Sequence, residues 1–164
     1  MSNGSKRFPR DEIYAMDIKS KTERSRNMAR IRSKNTMPER FFRSALHRCG
    51  ARFRVNKAGV PGNPDIYFSK KKVAIFVHGC YWHRHKGCKF AYIPKSNEKF
   101  WAKKHKANVK RDRTVLKLLR NEGVRVLTVW ECTVKRMIKN SDFFDAVLQD
   151  AMAFLSSDEQ VKIL

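Results

Sequence analysis

Residues 73 to 88 read Val73-Ala74-Ile75-Phe76-Val77-His78-Gly79-Cys80-Tyr81-Trp82-His83-Arg84-His85-Lys86-Gly87-Cys88. An uninterrupted apolar run of this kind is the pattern of an interior strand. It opens directly into three histidines, two cysteines and two aromatic residues. Three of the five His in the chain, and two of its four Cys, fall within this turn. That density of soft ligands exceeds what an ordinary loop requires, and it points first to a metal.

The spacing Cys80-x4-His85-x2-Cys88 supplies three of the four ligands of a tetrahedral structural zinc. The fourth must come from elsewhere, and Cys132 is the best candidate. It follows a second short apolar run, Val126-Leu127-Thr128-Val129-Trp130-Glu131, so a strand ending beside the first would bring its thiolate to the same corner. Cys49 lies in a helical pattern with Phe41, Phe42, Ala45 and Leu46 and is expected to pack in the core. The alternative for Cys80, Cys88 and Cys132 is a set of reduced thiols without metal.

The chain has 164 residues, a length suited to one domain with a real core. It contains 37 Lys and Arg against 15 Asp and Glu, a formal net charge of +22. Such a charge draws a polyanion by long-range attraction and counterion release, so nucleic acid is the expected partner. Membrane is disfavoured, because no stretch approaches a membrane span and the basic residues are not gathered on one terminal amphipathic helix. The N-terminus lacks the apolar region of a secretory leader, so the expected location is the cytoplasm, at the nucleoid in a bacterium. In that reducing compartment cysteines serve better as metal ligands than as disulfides.

Two segments concentrate the charge, and both are expected to lie along phosphates. Residues 19 to 34 carry seven Lys or Arg, including Arg24, Arg26, Arg30 and Arg32, with one Glu. This segment reads either as a DNA-binding arm that orders on its ligand or as a solvated basic helix. Residues 89 to 117 carry ten basic residues against two acidic. Residues 1 to 20 read as a loosely held basic extension, and residues 21 to 164 as one domain.

The remaining punctuation gives a frame. Thr36-Met37-Pro38-Glu39 matches a capping box with Pro in the first turn, which predicts a helix over 37–49 that stops at Gly50. Phe53 to Val55, Asp65 to Phe68 and Val73 to Val77 read as strands, the last two joined by a hairpin at Lys70-Lys71-Lys72. Asn97 is placed to cap a long helix ending at Asn121 before Gly123. Residues 124–130 read as a strand, and Ser141 as the cap of a last helix. This order predicts an α/β fold, a mixed sheet with helices packed on its faces.

Asp65, after Pro64 at the start of a strand, is placed to hold a catalytic metal for phosphodiester cleavage. The generic nuclease pattern would put a carboxylate and a lysine on the following strand, which here offers neither. Asp65 therefore reads either as a metal ligand with histidines replacing those groups, or as a turn residue. On the long helix, Trp101, His105, Asn108, Asp112, Val115 and Leu119 recur at spacings of three and four and share one face. Asp112 thus lies on an inward stripe, where a carboxylate requires a partner. A histidine, a hydrated metal or a helical ion pair would serve, and Arg111 and Arg113 are expected to point away.

These residues match a known pattern. His78-Gly79-Cys80-Tyr81-Trp82-His83-x-His85, Phe100-Trp101, Asn108, Arg111-Asp112-Arg113 and Val129-Trp130-Glu131-Cys132 resemble the very short patch repair (Vsr) endonucleases. The resemblance extends through Arg26-Asn27-Met28 and Pro61-Gly62-x-Pro64-Asp65, covering roughly two-thirds of the chain. It implies a restriction-endonuclease-like fold with a structural Zn²⁺, acting as a monomeric, Mg²⁺-dependent nuclease. Such an enzyme nicks duplex DNA at the T:G mismatch left by deamination of 5-methylcytosine. Double-stranded DNA is the implied partner, with mismatch-repair proteins such as MutL as candidates for recruitment.

Carried over by motif, Asp65 resembles the metal-binding carboxylate, with the Val77 carbonyl as a second Mg²⁺ contact. His83 resembles the general base, His78 a neighbour of the phosphate or leaving group, and Asp112 the residue that orients a histidine. Glu39 resembles a further acidic member of the site, although its capping position also accounts for it. The zinc set maps to Cys80, His85, Cys88 and Cys132. Tyr81, Trp82 and Trp101 resemble an aromatic wedge that enters the base stack; for Trp130, packing on its strand is the favoured role. Met28 and its basic neighbours resemble an arm that closes over DNA. Two alternatives remain: a site-specific, homing or host-defence endonuclease of the same fold without mismatch dependence, and an inactive zinc-stabilised DNA-binding protein.

Overall fold

The computed structural model describes residues 20–30 and 34–164. The chain divides into two units, Met1–Ser33 and Lys34–Leu164. In the first, helix α1 spans Lys21–Arg30. Its start is a capping box at Ser20 and Glu23. The Ser20 hydroxyl accepts the Glu23 N–H at 3.2 Å, and the Glu23 carboxylate accepts the Ser20 N–H at 2.8 Å. Met28, Arg26 and Arg30 are exposed on it, as a solvated basic helix would have them. The Arg24 side chain and Arg32 lie outside the described residues.

The second unit contains α2 (Met37–Arg48), β1 (Arg54–Val55), β2 (Ile66–Phe68), β3 (Val73–His78), α3 (Glu98–Asn121), β4 (Arg125–Trp130), α4 (Glu131–Lys139), α5 (Ser141–Ser156) and β5 (Val161–Ile163). The strands form one mixed sheet in the order β1-β2-β3-β4-β5. The first three run antiparallel, whereas β4 lies parallel to β3 and β5 parallel to β4.

Alternation along β3 separates packing from chemistry. Val73, Ile75 and Val77 join Leu127 and Val129 of β4 in the main core, against Phe42 and Leu46 of α2, Val134 and Met137 of α4, and Phe154 of α5. Ala74 and Phe76 face the opposite way, into a smaller cluster with Val126 of β4 and Val115 and Leu119 of α3. The sheet is therefore covered by α2, α4 and α5 on one face and by α3 on the other. By the same parity, His78 at the end of β3 lies on the α3 side, in register with Trp130 at the end of β4.

Several expectations are corrected. Cys49 is exposed rather than packed in the core, because it is the residue on which α2 stops, beside Gly50 at φ +80°. The Glu39 carboxylate takes the Asn35 N–H (2.8 Å) and the Thr36 hydroxyl (2.7 Å), so the reciprocal box expected at Thr36 is replaced by a bond one residue earlier. Asn97 precedes α3 in a left-handed conformation and makes no side-chain capping bond. Asn140 rather than Ser141 caps α5, its side-chain oxygen accepting the Phe143 N–H at 2.7 Å. Helix α4 and strand β5 were not expected. The first buries only Val134 and Met137, and the second is three residues long and incompletely buried, so neither leaves a strong periodic trace.

Candidate active site and metal centre

Asp65 stands just before β2, after a buried Pro64. Since Ile66 pairs with Ile75, Val77 lies opposite Pro64, and its N–H is taken by Asp65 Oδ2 at 2.8 Å. Burial pushes the Asp65 carboxyl up to about 6 against the pull of the Val77 N–H; the charge of Glu39 adds to the rise, and those of Arg43 and His83 oppose it. Glu39 is 4% exposed and held by its two donors, with Arg43 3.8 Å away. Asp65 thus feels the charge of a second acidic group, and removal of its proton is favoured by any cation that binds it.

Across the sheet end, His83 Nδ1–H donates to Asp112 Oδ2 at 2.6 Å. Burial raises the Asp112 carboxyl, but the His83 hydrogen bond and the His83, His78 and Arg111 charges outweigh it and hold the group below its usual range. Arg111 approaches the other Asp112 oxygen at 3.6 Å, but it is the adjacent residue and not one at helical spacing, so the partner Asp112 has across the site is the histidine. Arg111 does not point away as expected. The His78 ring stacks on His83, 3.8 Å between centroids at 5°. Burial and the neighbouring His83 charge lower the His78 pKa to about 3, so His78 is neutral at physiological pH. His78, His83 and Asp112 have ligand atoms within 4.8 Å of one another; Asp65 stands outside that group and senses it through the His83 charge.

The second cluster lies where the loop after β3 meets the first turn of α4. Cys80, His85, Cys88 and Cys132 each offer a ligand atom, all within 4.8 Å. His85 Nδ1 is 3.6 Å from Cys80 Sγ and 3.3 Å from Cys132 Sγ. Zn–S and Zn–N bonds of about 2.3 and 2.0 Å in a tetrahedron give S···N edges of about 3.5 Å, so this donor set fits zinc. Burial pushes the Cys80 thiol up to about 12, a cost that a cation at the centre would remove. Glu131 Oε2 accepts the Cys80 N–H at 3.2 Å, and Lys135 holds Glu131 at 2.6 Å.

Trp130 joins the two clusters. Its indole lies flat against His85, 4.0 Å between centroids at 2°, and meets His78 edge-on at 5.6 Å. It is partly exposed, and packing on a strand understates its position.

Tyr81, Trp82 and Trp101 form one aromatic group. Tyr81 meets Trp82 at 5.0 Å and Trp101 at 5.6 Å, and the two tryptophans lie 6.0 Å apart. Asn108 Nδ2 donates to the Trp82 carbonyl at 3.1 Å, fixing the loop on α3. Lys104 sits over Trp82, Phe100 and Trp101 at 5.7, 5.8 and 5.7 Å. The expectation from sequence missed Lys104, Glu131 and Tyr92. Tyr92 is 64% exposed and packs 5.1 Å from Tyr81. Helical spacing could have revealed Lys104, which lies three residues after Trp101; the other two depend on tertiary contacts.

A family model described as DNA mismatch endonuclease Vsr matches residues 16–89. The chain is 47% identical over 105 residues to the Type II nicking enzyme V.XorIIP of Xanthomonas oryzae, covering 64% of this chain and 76% of that protein. It is 39% identical over 126 residues to the DNA mismatch endonuclease Vsr of Escherichia coli, covering 77% and 80%. With the Type II nicking enzyme V.NaeI of Lentzea aerocolonigenes it shares 46% identity over 114 residues, covering 66% and 67%. On these matches the chain belongs to the Vsr family and is a DNA endonuclease.

Proposed function

We propose that this endonuclease is Mg²⁺-dependent and nicks one strand of duplex DNA at T:G mismatches, in very short patch repair of deaminated 5-methylcytosine. The observation that carries the chemistry is the His83–Asp112 hydrogen bond at 2.6 Å, with neutral His78 stacked on the same imidazole. With Nδ1–H committed to Asp112, His83 Nε2 is the lone-pair nitrogen that takes a proton from the attacking water. Asp112 stabilises the imidazolium that results. His78 stays uncharged beside it and offers a hydrogen bond to the phosphate or the departing oxygen.

Asp65, with the Val77 carbonyl, would hold the Mg²⁺, which supplies charge stabilisation at the phosphate when bound. Glu39 adds negative potential at Asp65 and orders Asn35 and Thr36. Cys80, His85, Cys88 and Cys132 would hold a structural Zn²⁺. The mixed sheet with its acidic residue at the β2 start supports a restriction-endonuclease-like fold. The formal charge of +22 supports double-stranded DNA as the partner of a monomer in the cytoplasm, at the nucleoid. No helix among the described residues is long and apolar enough to cross a membrane. Recruitment of mismatch-repair proteins such as MutL, an arm around Met28 that closes over DNA, and a phosphate-binding role for Arg24, Arg26, Arg30 and Arg32 belong to the same reading.

Mismatch selectivity is assigned to Tyr81, Trp82 and Trp101. Unstacking a base step costs roughly a few kcal/mol, and less at a wobble pair, so a ring wedge favours the mismatch before any base edge is read. The test is nicking of T:G against T:A and C:G duplexes in Mg²⁺ across a library of flanking sequences. The thymine strand of the T:G duplex should be cut far faster, and Trp82→Ala should lose much of that preference. Equal rates on matched DNA would replace this reading with a site-specific endonuclease.

A further inference from the structure

Beyond the wedge, on the α3 face adjoining the catalytic stripe, runs an open groove of about 980 Å³ that the chemistry above does not use. Trp101 belongs to both, so the groove starts where the wedge ends. Its apolar surface comes from Ile93, Trp101 and Val109, and its rim carries Lys106, Lys110 and Arg113 among other cations, with Glu98 the one acidic residue along it. None of these three cations has a carboxylate within salt-bridge distance among the described residues. Ile93 is 70% exposed, an unusual placement for an aliphatic side chain beside so much charge.

A second observation singles out the groove. His105 lines it and is 6% exposed, and its Nε2 has no hydrogen-bond partner. Buried polar atoms are nearly always satisfied, so a partnerless nitrogen enclosed beside Tyr81 and Trp101 marks this wall as incompletely satisfied, and a ligand would meet it only where those rings shift.

We propose that this groove binds the unpaired end of the cut strand, frayed beside the nick. The inference rests on the reading that the wedge unstacks DNA. Bases inside a duplex present their ring faces to one another and have none to give an apolar floor, whereas unpaired bases offer both faces and free Watson–Crick edges. Apolar and aromatic side chains beneath a cationic rim are the combination that holds single strands with little regard to sequence. The lining runs from Glu98 to Lys117 of α3, about 28 Å at 1.5 Å per residue, long enough for up to about eight phosphates at a stacked 3.4 Å spacing.

The test compares two fluorescently labelled, pre-nicked duplexes of one sequence, binding to the full chain without Mg²⁺. One is fully paired, and the other carries an unpaired tail of about six thymidines at the nick. The parent protein should bind the tailed probe at least about tenfold more tightly. In Lys106→Gln/Lys110→Gln and separately in Ile93→Ser, that ratio should fall to about twofold or less. Equal affinity of the parent protein for the two probes overturns the proposal. So does a double variant that weakens both probes by the same factor, which would assign the groove to duplex backbone. The measured ratio is independent of mismatch preference, so a failure of the T:G nicking assay leaves this result separately readable.

Discussion

The imidazole of His85 lies parallel to the indole of Trp130 at 4.0 Å, and the same indole meets His78 edge-on. A ligand of the candidate zinc and a residue of the candidate active site are therefore neighbours of one ring. A metal bound by His85 would act on the position of His78 through this one ring.

Zinc removal tests this connection. Chelation, or Cys132→Ser, should lower the melting temperature, the bound zinc and the nicking rate together, since loss of one ligand opens the tetrahedron. The tryptophan emission should change on chelation, and Trp130→Phe should abolish most of that change. A folded, zinc-free protein with unchanged emission would remove the zinc assignment.

The two members of the His83–Asp112 pair should fail in different ways. His83→Ala removes the base and should slow nicking by about 10²–10⁴-fold with DNA affinity retained. Asp112→Asn keeps the shape but weakens the hold on Nδ1–H, and should lose rate with a shifted pH profile. Single-turnover rates against pH, with affinity measured separately, decide the matter; undiminished cleavage by His83→Ala would refute the base assignment.

Asp65 makes stability depend on pH in a defined direction. Its folded pKa of about 6 lies above its ordinary 3.8, so between those values the folded protein holds a proton that the unfolded chain gives up. Stability contributed by this group falls as pH rises through that window, and the loss is complete above it. Without Mg²⁺ and with zinc present, Asp65→Asn should match the parent near pH 4. At pH 8 it should be more stable by about 2–3 kcal/mol, while being inactive. Denaturant melts at both pH values check the sign, and a destabilised variant at pH 8 would contradict it.

Helix α1 offers a test of binding apart from chemistry. Arg26→Gln and Arg30→Gln should weaken DNA binding and reduce the salt slope by up to about 0.9 for each phosphate left without its arginine. Cleavage of saturated DNA should change little. A salt slope identical to the parent would exclude these two arginines from the interface.

Much of the frame is legible in the chain because its signals are local. The apolar run at 73–77 marks β3, the three-and-four spacing marks the α3 stripe, and the dense Cys and His mark the metal corner. That Asp112 needs a partner follows from its place on an inward stripe; that the partner is His83 is read from the structure. What escapes depends on neighbours distant in sequence. Trp130 gains its position from strand register, Glu131 from a backbone N–H of residue 80, and Arg111 from a bend back toward its own neighbour. Helix α1 is only half visible: its basic face is plain, but the short Ser20–Glu23 cap is obscured by the stronger-looking signal at Thr36.

Strands β3 and β4 are matched over six residue pairs, ending at His78 beside Trp130. This registry sets which kinds of genetic change the enzyme can absorb. Substitutions at Val73 or Ile75 alter volume in a core on the opposite face of the sheet from His78, and their cost is graded. A single inserted or deleted residue anywhere in the strand would exchange its two faces, turning His78 into the hydrophobic layer and drawing Cys80 away from Cys132 in one step. The strand should therefore tolerate changes of residue far better than changes of length.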